Sequence, residues 1–273
     1  MRAPNPQTFN RSRPTDPVRF RGHRGGVIAM HRALTHFRLG PMNVLTSVSL
    51  FLFFSWVWVA FLPWVCRLWS SAFAFALQNL PLDARLDTAE HGTHLFHLEI
   101  PYLRVEPVLP TLTTWSLTCA VTLLLFAASF FLPKRLVPLV YLLRAVLLVQ
   151  ASALIFFALF PTRFPHTPDG YLEALVTSGA GLISVVPLLF GFTYYIFDFG
   201  LLRKALLTAL TMTHLSLFLP FPVLLQALVL QKTVLFMPLL YIVFGMPLDV
   251  MLIIAVYSWG MTWSFRPAPL ANR

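Results

Sequence analysis

Several long stretches of this chain are apolar and almost free of charge, and this feature restricts its fold most. Residues 44–62 and 112–132 are each about 20 residues long, which at 1.5 Å per residue matches a hydrocarbon core roughly 30 Å thick. Of the 273 residues, 58% are hydrophobic and 11% are charged, whereas soluble domains have about 25% charged residues. We therefore expect an all-α fold, a polytopic helical bundle within residues 41–265, rather than a β-barrel.

Basic and acidic residues alternate between the connections, and this pattern orients the chain. The apolar spans are 43–62, 111–132, 137–160, 174–197, 204–231 and 233–264. Acidic residues collect in the loops at 80–110 and 162–173, and basic residues flank the opposite ends of the spans. The positive-inside rule then predicts six spans with a cytoplasmic N-terminus and an extracytoplasmic loop at 80–110.

Residues 1–40 form an arginine-rich arm that accounts for most of the net charge of +10. The arm holds eight arginines and one acid, Asp16, and has no apolar periodicity. We expect a disordered cytoplasmic arm attracted to anionic lipid headgroups. No nucleic-acid-binding pattern accompanies it, so we expect no nucleic-acid partner. Residues 266–273 are expected to form a short tail.

Two segments leave the helix bounds open. Residues 64–79 are rich in aromatic side chains. Pro63 is expected to end the first helix, so that 64–79 form a separate helix in the outer interface. The alternative is that 64–79 extend the first helix into one longer, tilted span. Seven spans are the second alternative, with helices at 204–219, 223–245 and 249–264. Six spans place Lys232 in an outer loop and Asp249 at mid-membrane, whereas seven place Lys232 in the bilayer.

The outer loops hold a candidate metal or proton site. His91, His94 and His97 are spaced by three, and His166 lies in the other outer loop. Histidine with a carboxylate such as Glu99 or Asp169 suits zinc, copper or iron, or a pH sensor. The segment 97–105 looks extended, since Pro101 excludes regular helix, so a solvated polar loop is the alternative.

Ionisable groups within the spans mark a second candidate site. Asp249 follows the break Gly245–Met246–Pro247, and broken helices hold ions or substrates in transporters. Its possible ion-pair partners are Lys232, His214 and Arg144, although Arg144 also suits an interfacial anchor and His214 an interhelical hydrogen bond. The alternative for Asp249 is a helix-capping residue in a turn.

Three functions follow from these features. The first is a non-catalytic accessory or assembly subunit of an envelope complex for export or polymer synthesis, partnered with the lipid bilayer and other membrane proteins. The second is a small-solute or ion permease that uses Asp249, and the third is a membrane enzyme that uses the outer histidines. The chain has no nucleotide-binding glycine motif and a single intramembrane histidine, so we expect no cofactor and favour a protein that is not an enzyme. The excess of arginine over lysine indicates a GC-rich bacterial genome and hence an inner membrane.

Overall fold

The computed structural model describes residues 20–21, 27–28, 41–93, 96–133, 136–194 and 200–262. These residues are mostly helical. The α-helices that they form are α1 Pro41–Asn79, α2 Leu112–Ala128, α3 Val137–Leu159, α4 Pro168–Tyr194, α5 Leu201–Phe218, α6 Pro220–Leu230, α7 Met237–Phe244 and α8 Met246–Thr262. Within the described residues, 5 helical segments are long and apolar enough to cross a bilayer, which is compatible with an integral membrane protein.

The arginine-rich arm is described only at two short strands. β1 (Phe20–Arg21) pairs antiparallel with β2 (Val27–Ile28). The rest of residues 1–40 and the tail at 266–273 lie outside the described residues. The prediction of a disordered, cytoplasmic arm therefore stays a prediction.

Helix α1 is continuous over 39 residues, about 58 Å at 1.5 Å per residue. Pro63 lies inside it, so the prediction that Pro63 ends the first helix is wrong, and residues 64–79 continue that helix. An internal proline costs about 3 kcal/mol. The residues beyond it offset that cost, because Trp69 and Phe73 are fully buried where α1 packs on other elements. Trp64 and Phe75 on the opposite side stay exposed.

A β-hairpin follows α1, so the described residues are mostly helical, as expected, but not all-α. β3 (Ala84–Thr93) and β4 (Phe96–Val105) pair antiparallel, with Leu86 opposite Leu103. Leu103 and Val105, two residues apart on one face, are buried, and β4 packs against α4 and α1. Period-two burial against a helical surface stabilises a strand rather than a helix.

Helix α4 lies at the centre of the bundle. It packs against α1, β4, α5, α6 and α8, and its side chains Leu172, Val176 and Val186 are fully buried. The helix begins at Pro168, six residues before the predicted span, because proline is favoured in the first helical turn.

The last part of the chain folds as two interrupted helices. α5 and α6 are separated only by Leu219, and α7 and α8 only by Gly245. A turn and a short 3-10 helix, Val234–Phe236, lie between α6 and α7. The seven-span alternative requires one helix over 223–245, and this turn interrupts it.

Helices α2 and α3 form a peripheral antiparallel pair. α2 spans 17 residues, about 26 Å, and is shorter than the other apolar segments. Its contacts in the described structure are chiefly with α3, and the indole Nε1 of Trp115 donates to the carbonyl of Leu154 at 2.9 Å. Most of the α2 surface is therefore apolar and exposed.

Three connections meet at one end of the bundle, which we call the hairpin end: residues 80–111, 160–167 and 231–236. Gln231 bonds to the segment before β3, and Phe164 packs in a cluster with Val234 and Leu235. The acidic loops of the sequence thus lie on one side of the apolar helices.

Candidate functional site

The hairpin is fixed to the bundle by the turn at 231–236. The side-chain amide of Gln231 accepts from the backbone N–H of Asp83 at 2.8 Å and donates to the carbonyl of Pro81 at 3.1 Å. The backbone N–H of Val234 donates to the carbonyl of Val108 at 3.0 Å. Both ends of the hairpin are therefore tied to the same turn, in addition to the packing of β4 on α4.

The outer edge of β3 is not used by a second strand in the described part of the chain. Thr88 lies opposite Pro101, which has no N–H, and the Thr88 N–H donates to the Asp87 carboxylate at 2.8 Å. That N–H therefore lies outside the β3–β4 ladder. In an antiparallel pair, every second residue directs its backbone N–H and C=O away from the partner strand. The backbone N–H and C=O groups of Leu86 and Glu90 therefore face outward, as those of Thr88 do.

A small charged cluster covers the solvent face of the hairpin. Arg104 forms an ion pair with Asp87 at 3.5 Å, and the Tyr102 hydroxyl donates to the same carboxylate oxygen at 3.4 Å. Burial, and after it the negative charge of Asp87, raises the pKa of Tyr102 above its usual value. The side chains of Arg104 and Asp87 are 60% and 42% exposed, so their ion pair contributes little to stability.

The outer histidines fall at the tip of this hairpin. His91 pairs in register with Leu98, and His97 pairs with Gly92, so the two histidines occupy adjacent register positions of the hairpin. His94 lies outside the described residues. Among the residues that are described, no group of three His, Cys, Asp or Glu residues is arranged to hold a metal. His166 instead lies beside Phe164, 5.8 Å between ring centroids. The metal or proton site stays a prediction.

The break between α7 and α8 is stabilised by a side chain of α6. Gln226 is fully buried, and its Nε2 donates to the carbonyl of Phe244 at 3.0 Å. Its Oε1 accepts from the Tyr171 hydroxyl of α4. The Leu248 N–H bonds to Gly245 instead of Phe244, so Gln226 satisfies a carbonyl that the break would leave without a partner.

Asp249 lies in the first turn of α8, just beyond this break. Its side chain is buried, with 6% of its surface exposed. No hydrogen bond or ion pair to it is present among the described residues. A buried carboxyl group without a cationic partner inside an apolar segment is a candidate site for a proton or a cation.

The other predicted residues have no described bond to Asp249. Arg144 donates from Nε to the Ser129 hydroxyl at 3.1 Å and lies over the Phe130 ring. His214 is exposed and stacks on Phe218 at 5.8 Å. Lys232 is exposed in the turn after α6. Among the described residues, no hydrogen bond or ion pair links Asp249 to Arg144, His214 or Lys232, and an intramembrane site formed by these four residues stays a prediction.

A cavity of about 820 Å³ opens between α3, α4 and α7 near the hairpin end. Its walls are mostly apolar and include Val149, Ala174 and Ile242. The polar groups are at one end, with His166 and Thr167 in the loop before α4. Sequence analysis did not identify this cavity, because its walls come from three helices that are distant in the chain.

Sequence analysis also missed Gln226, Tyr171 and Gln231. Two of the three are amides in or beside apolar helices, and an amide in a long apolar run is a signal of interhelical hydrogen bonding. Their partners are the backbone groups of Phe244, Pro81 and Asp83 and, for Tyr171, the side-chain oxygen of Gln226, and no residue pattern marks these pairings.

No family model, no curated protein and no solved structure matches this chain. The fold itself defines its class. The chain has apolar helices that are compatible with an integral membrane protein, and a β-hairpin is fixed at one end of them.

Proposed function

We propose that this chain is a non-catalytic accessory or assembly subunit of a bacterial envelope complex, and that it crosses the inner membrane six times. The hairpin end then faces away from the cytoplasm and the arginine-rich arm faces the cytoplasm, in accordance with the positive-inside rule. The hairpin presents the outer edge of β3 to a partner protein, which adds a strand to it.

The observation that carries this proposal is the fixed edge of β3, with which no second strand pairs in the part of the chain that the structure describes. A strand edge offers a row of backbone donors and acceptors, and proteins usually cover such edges. Here the edge is held by Gln231, by the Val234–Val108 bond and by the burial of Leu103. Because the hairpin is already ordered, it loses little further conformational entropy when a partner binds to it.

Site-specific cross-linking in native membranes tests this proposal. A photo-reactive amino acid replaces Arg85, which is exposed on β3, and in a control it replaces Leu124, which is 68% exposed on α2. We expect one discrete protein adduct from position 85, identified by mass spectrometry as a protein that also co-purifies with the chain, and lipid adducts from position 124. A monomer in mild detergent that gives no protein adduct at position 85 would reject the proposal.

A small-solute or ion permease is the second candidate, and the burial of Asp249 without a partner favours it. In that mechanism the carboxyl binds the transported cation or proton beside the interrupted helix. Asp249→Asn keeps the size of the side chain and removes the charge. We expect it to abolish uptake of the transported ion into proteoliposomes, and unchanged uptake would exclude this mechanism.

A further inference from the structure

A pocket of about 340 Å³ lies between the second half of α1 and the hairpin. Pro63, Arg67 and Ser70 of α1 line one wall, and Thr88 and Glu99 of the hairpin line the other. The pocket therefore contains one cation, one carboxylate and two hydroxyl groups, beside the apolar ring of the proline.

The two charged side chains of this pocket do not pair with each other. The guanidinium carbon of Arg67 lies 5.9 Å from the centre of the Trp64 ring, a contact with the ring face that leaves guanidinium N–H groups available to other acceptors. Within the part of the chain that the structure describes, no ion pair or hydrogen bond joins the side chain of Arg67 or Glu99 to another residue. A ligand with charges of both signs would find an oppositely charged partner for each of them here.

Glu99 also lies directly opposite a second carboxylate. The hairpin register pairs Glu90 with Glu99, and both are exposed. They share a face of the hairpin with Leu103, which is buried against the helices. Like charges at directly opposite positions destabilise an antiparallel pair. A positively charged group of a ligand beside these two carboxylates removes that cost.

The pocket lies at the depth of lipid headgroups if α1 crosses a membrane from its first residue. The helix begins at Pro41, so Pro63 lies about 33 Å and Arg67 about 39 Å along it at 1.5 Å per residue. A bilayer is about 40–45 Å thick with both headgroup layers and roughly 30 Å thick without them. With Pro41 at the inner surface, Pro63 therefore lies at the outer end of the hydrocarbon and Arg67 in the outer headgroup layer.

An exposed apolar stripe of α1 continues from the pocket toward the hydrocarbon. Val59 and Trp56 precede Pro63 by one and two helical turns on the same face of the helix, and they are 57% and 69% exposed. The acyl chain of a lipid whose headgroup occupies the pocket would cover these side chains. A small water-soluble zwitterion would leave them uncovered, so the stripe favours a lipid.

We propose that this pocket binds the headgroup of one phosphatidylethanolamine molecule of the outer leaflet. The phosphate lies at the Arg67 guanidinium, and the ammonium group lies at the carboxylates of Glu99 and Glu90. An acyl chain lies along Val59 and Trp56. The proposal rests on the membrane location given under the proposed function, but it requires no partner protein.

Lipid retention by the purified full-length chain tests this site. The chain is held in mild detergent with EDTA and an equal mixture of phosphatidylethanolamine and phosphatidylglycerol, which both have a phosphate but differ in the ammonium group. Native mass spectrometry measures each bound lipid. We expect the wild type to retain one phosphatidylethanolamine in clear preference to phosphatidylglycerol.

Two variants separate the roles of the two charges. Glu99→Gln should lower the ratio of retained phosphatidylethanolamine to phosphatidylglycerol about tenfold, whereas Arg67→Gln should lower the retention of both lipids about tenfold, as the loss of one charge-assisted hydrogen bond implies. Glu106→Gln and Arg85→Gln are the matched controls, because both residues are exposed and lie outside the pocket. They should behave as the wild type does.

Three results would overturn the proposal. The first is a wild type that retains the two lipids equally, and the second is an unchanged lipid ratio in Glu99→Gln. The third is a preference that is present only without EDTA, since a divalent cation rather than an ammonium group would then lie between the carboxylates. Cross-linking at position 85 detects protein partners in membranes, so the accessory-subunit proposal and this one fail separately.

Discussion

The side-chain Nε2 of Gln226 donates to the backbone carbonyl of Phe244 at 3.0 Å. This contact joins α6 to the end of α7, at the point where the chain breaks before Pro247. A second side chain has an equivalent role: the Trp69 Nε1 donates to the carbonyl of Ser216 at 2.7 Å. Pro220, four residues after Ser216, has no N–H to donate to that carbonyl. In both cases a neighbouring helix satisfies a backbone group at a helix interruption, as an apolar surrounding requires.

Loss of the Gln226 amide should destabilise the fold. In Gln226→Leu the Phe244 carbonyl and the Tyr171 hydroxyl both lose their partner in a buried place, at a cost of about 1–3 kcal/mol for each unsatisfied group. We expect a clear fall in the melting temperature measured by thermal unfolding in detergent. A melting temperature equal to the wild type would mean that Gln226 does not stabilise the break.

The opposite result is expected for another buried glutamine. Gln150 on α3 is 4% exposed, and neither of its side-chain amide atoms has a hydrogen-bond partner among the described residues. Gln150→Leu removes a polar group whose burial costs about 1–3 kcal/mol. We expect the melting temperature to stay the same or rise. A fall as large as that of Gln226→Leu would show that Gln150 has a partner that matters for stability.

The break itself should depend on Gly245. A Cβ at this position would collide with the carbonyl oxygen of Tyr241, so Gly245→Ala should lower the melting temperature. The matched control is Gly181→Ala in α4, where nothing lies within 4 Å of an added Cβ. Helix propensity favours that control by about 0.5–1 kcal/mol. Equal effects of the two substitutions would argue against a required break.

Two tryptophans of α1 should differ in their importance. Trp69→Phe removes the bond to the Ser216 carbonyl and should cost about 1–3 kcal/mol. Trp64 is 68% exposed, and Trp64→Phe should change stability by no more than about 0.5 kcal/mol. Denaturation of both variants in the same detergent compares them, and an equal loss would contradict the buried position of Trp69.

The anchoring of the hairpin should depend on Gln231. Gln231→Leu removes both bonds to Pro81 and Asp83, so amide hydrogen exchange at residues 82–86 should become faster. Lys232→Gln, a substitution in the same turn at an exposed position, is the control and should leave that exchange unchanged. If exchange were unaltered in Gln231→Leu, the packing of β4 and the Val234–Val108 bond would be sufficient to hold the hairpin.

The amino-acid sequence by itself determined the helical, apolar character of the chain and most of the helix positions. An uncharged segment of bilayer length can form few structures other than a helix, because every backbone polar group in an apolar surrounding needs a hydrogen-bond partner within the protein. Pro101 likewise predicted an extended segment, and β4 contains this residue. The sequence did not determine the continuity of α1 through Pro63, since a proline's effect depends on the packing on either side of it.

Only the tertiary structure decided which polar residues meet. It placed His214 on an exposed face, Arg144 beside Ser129 and Lys232 in a turn, and none of them bonds to Asp249 among the described residues. It joined Gln226 to Phe244 and Gln231 to Asp83, residues 18 and 148 positions apart in the chain. Such contacts depend on how helices rotate and pack against one another, and periodicity within one helix holds no information about its neighbour's orientation.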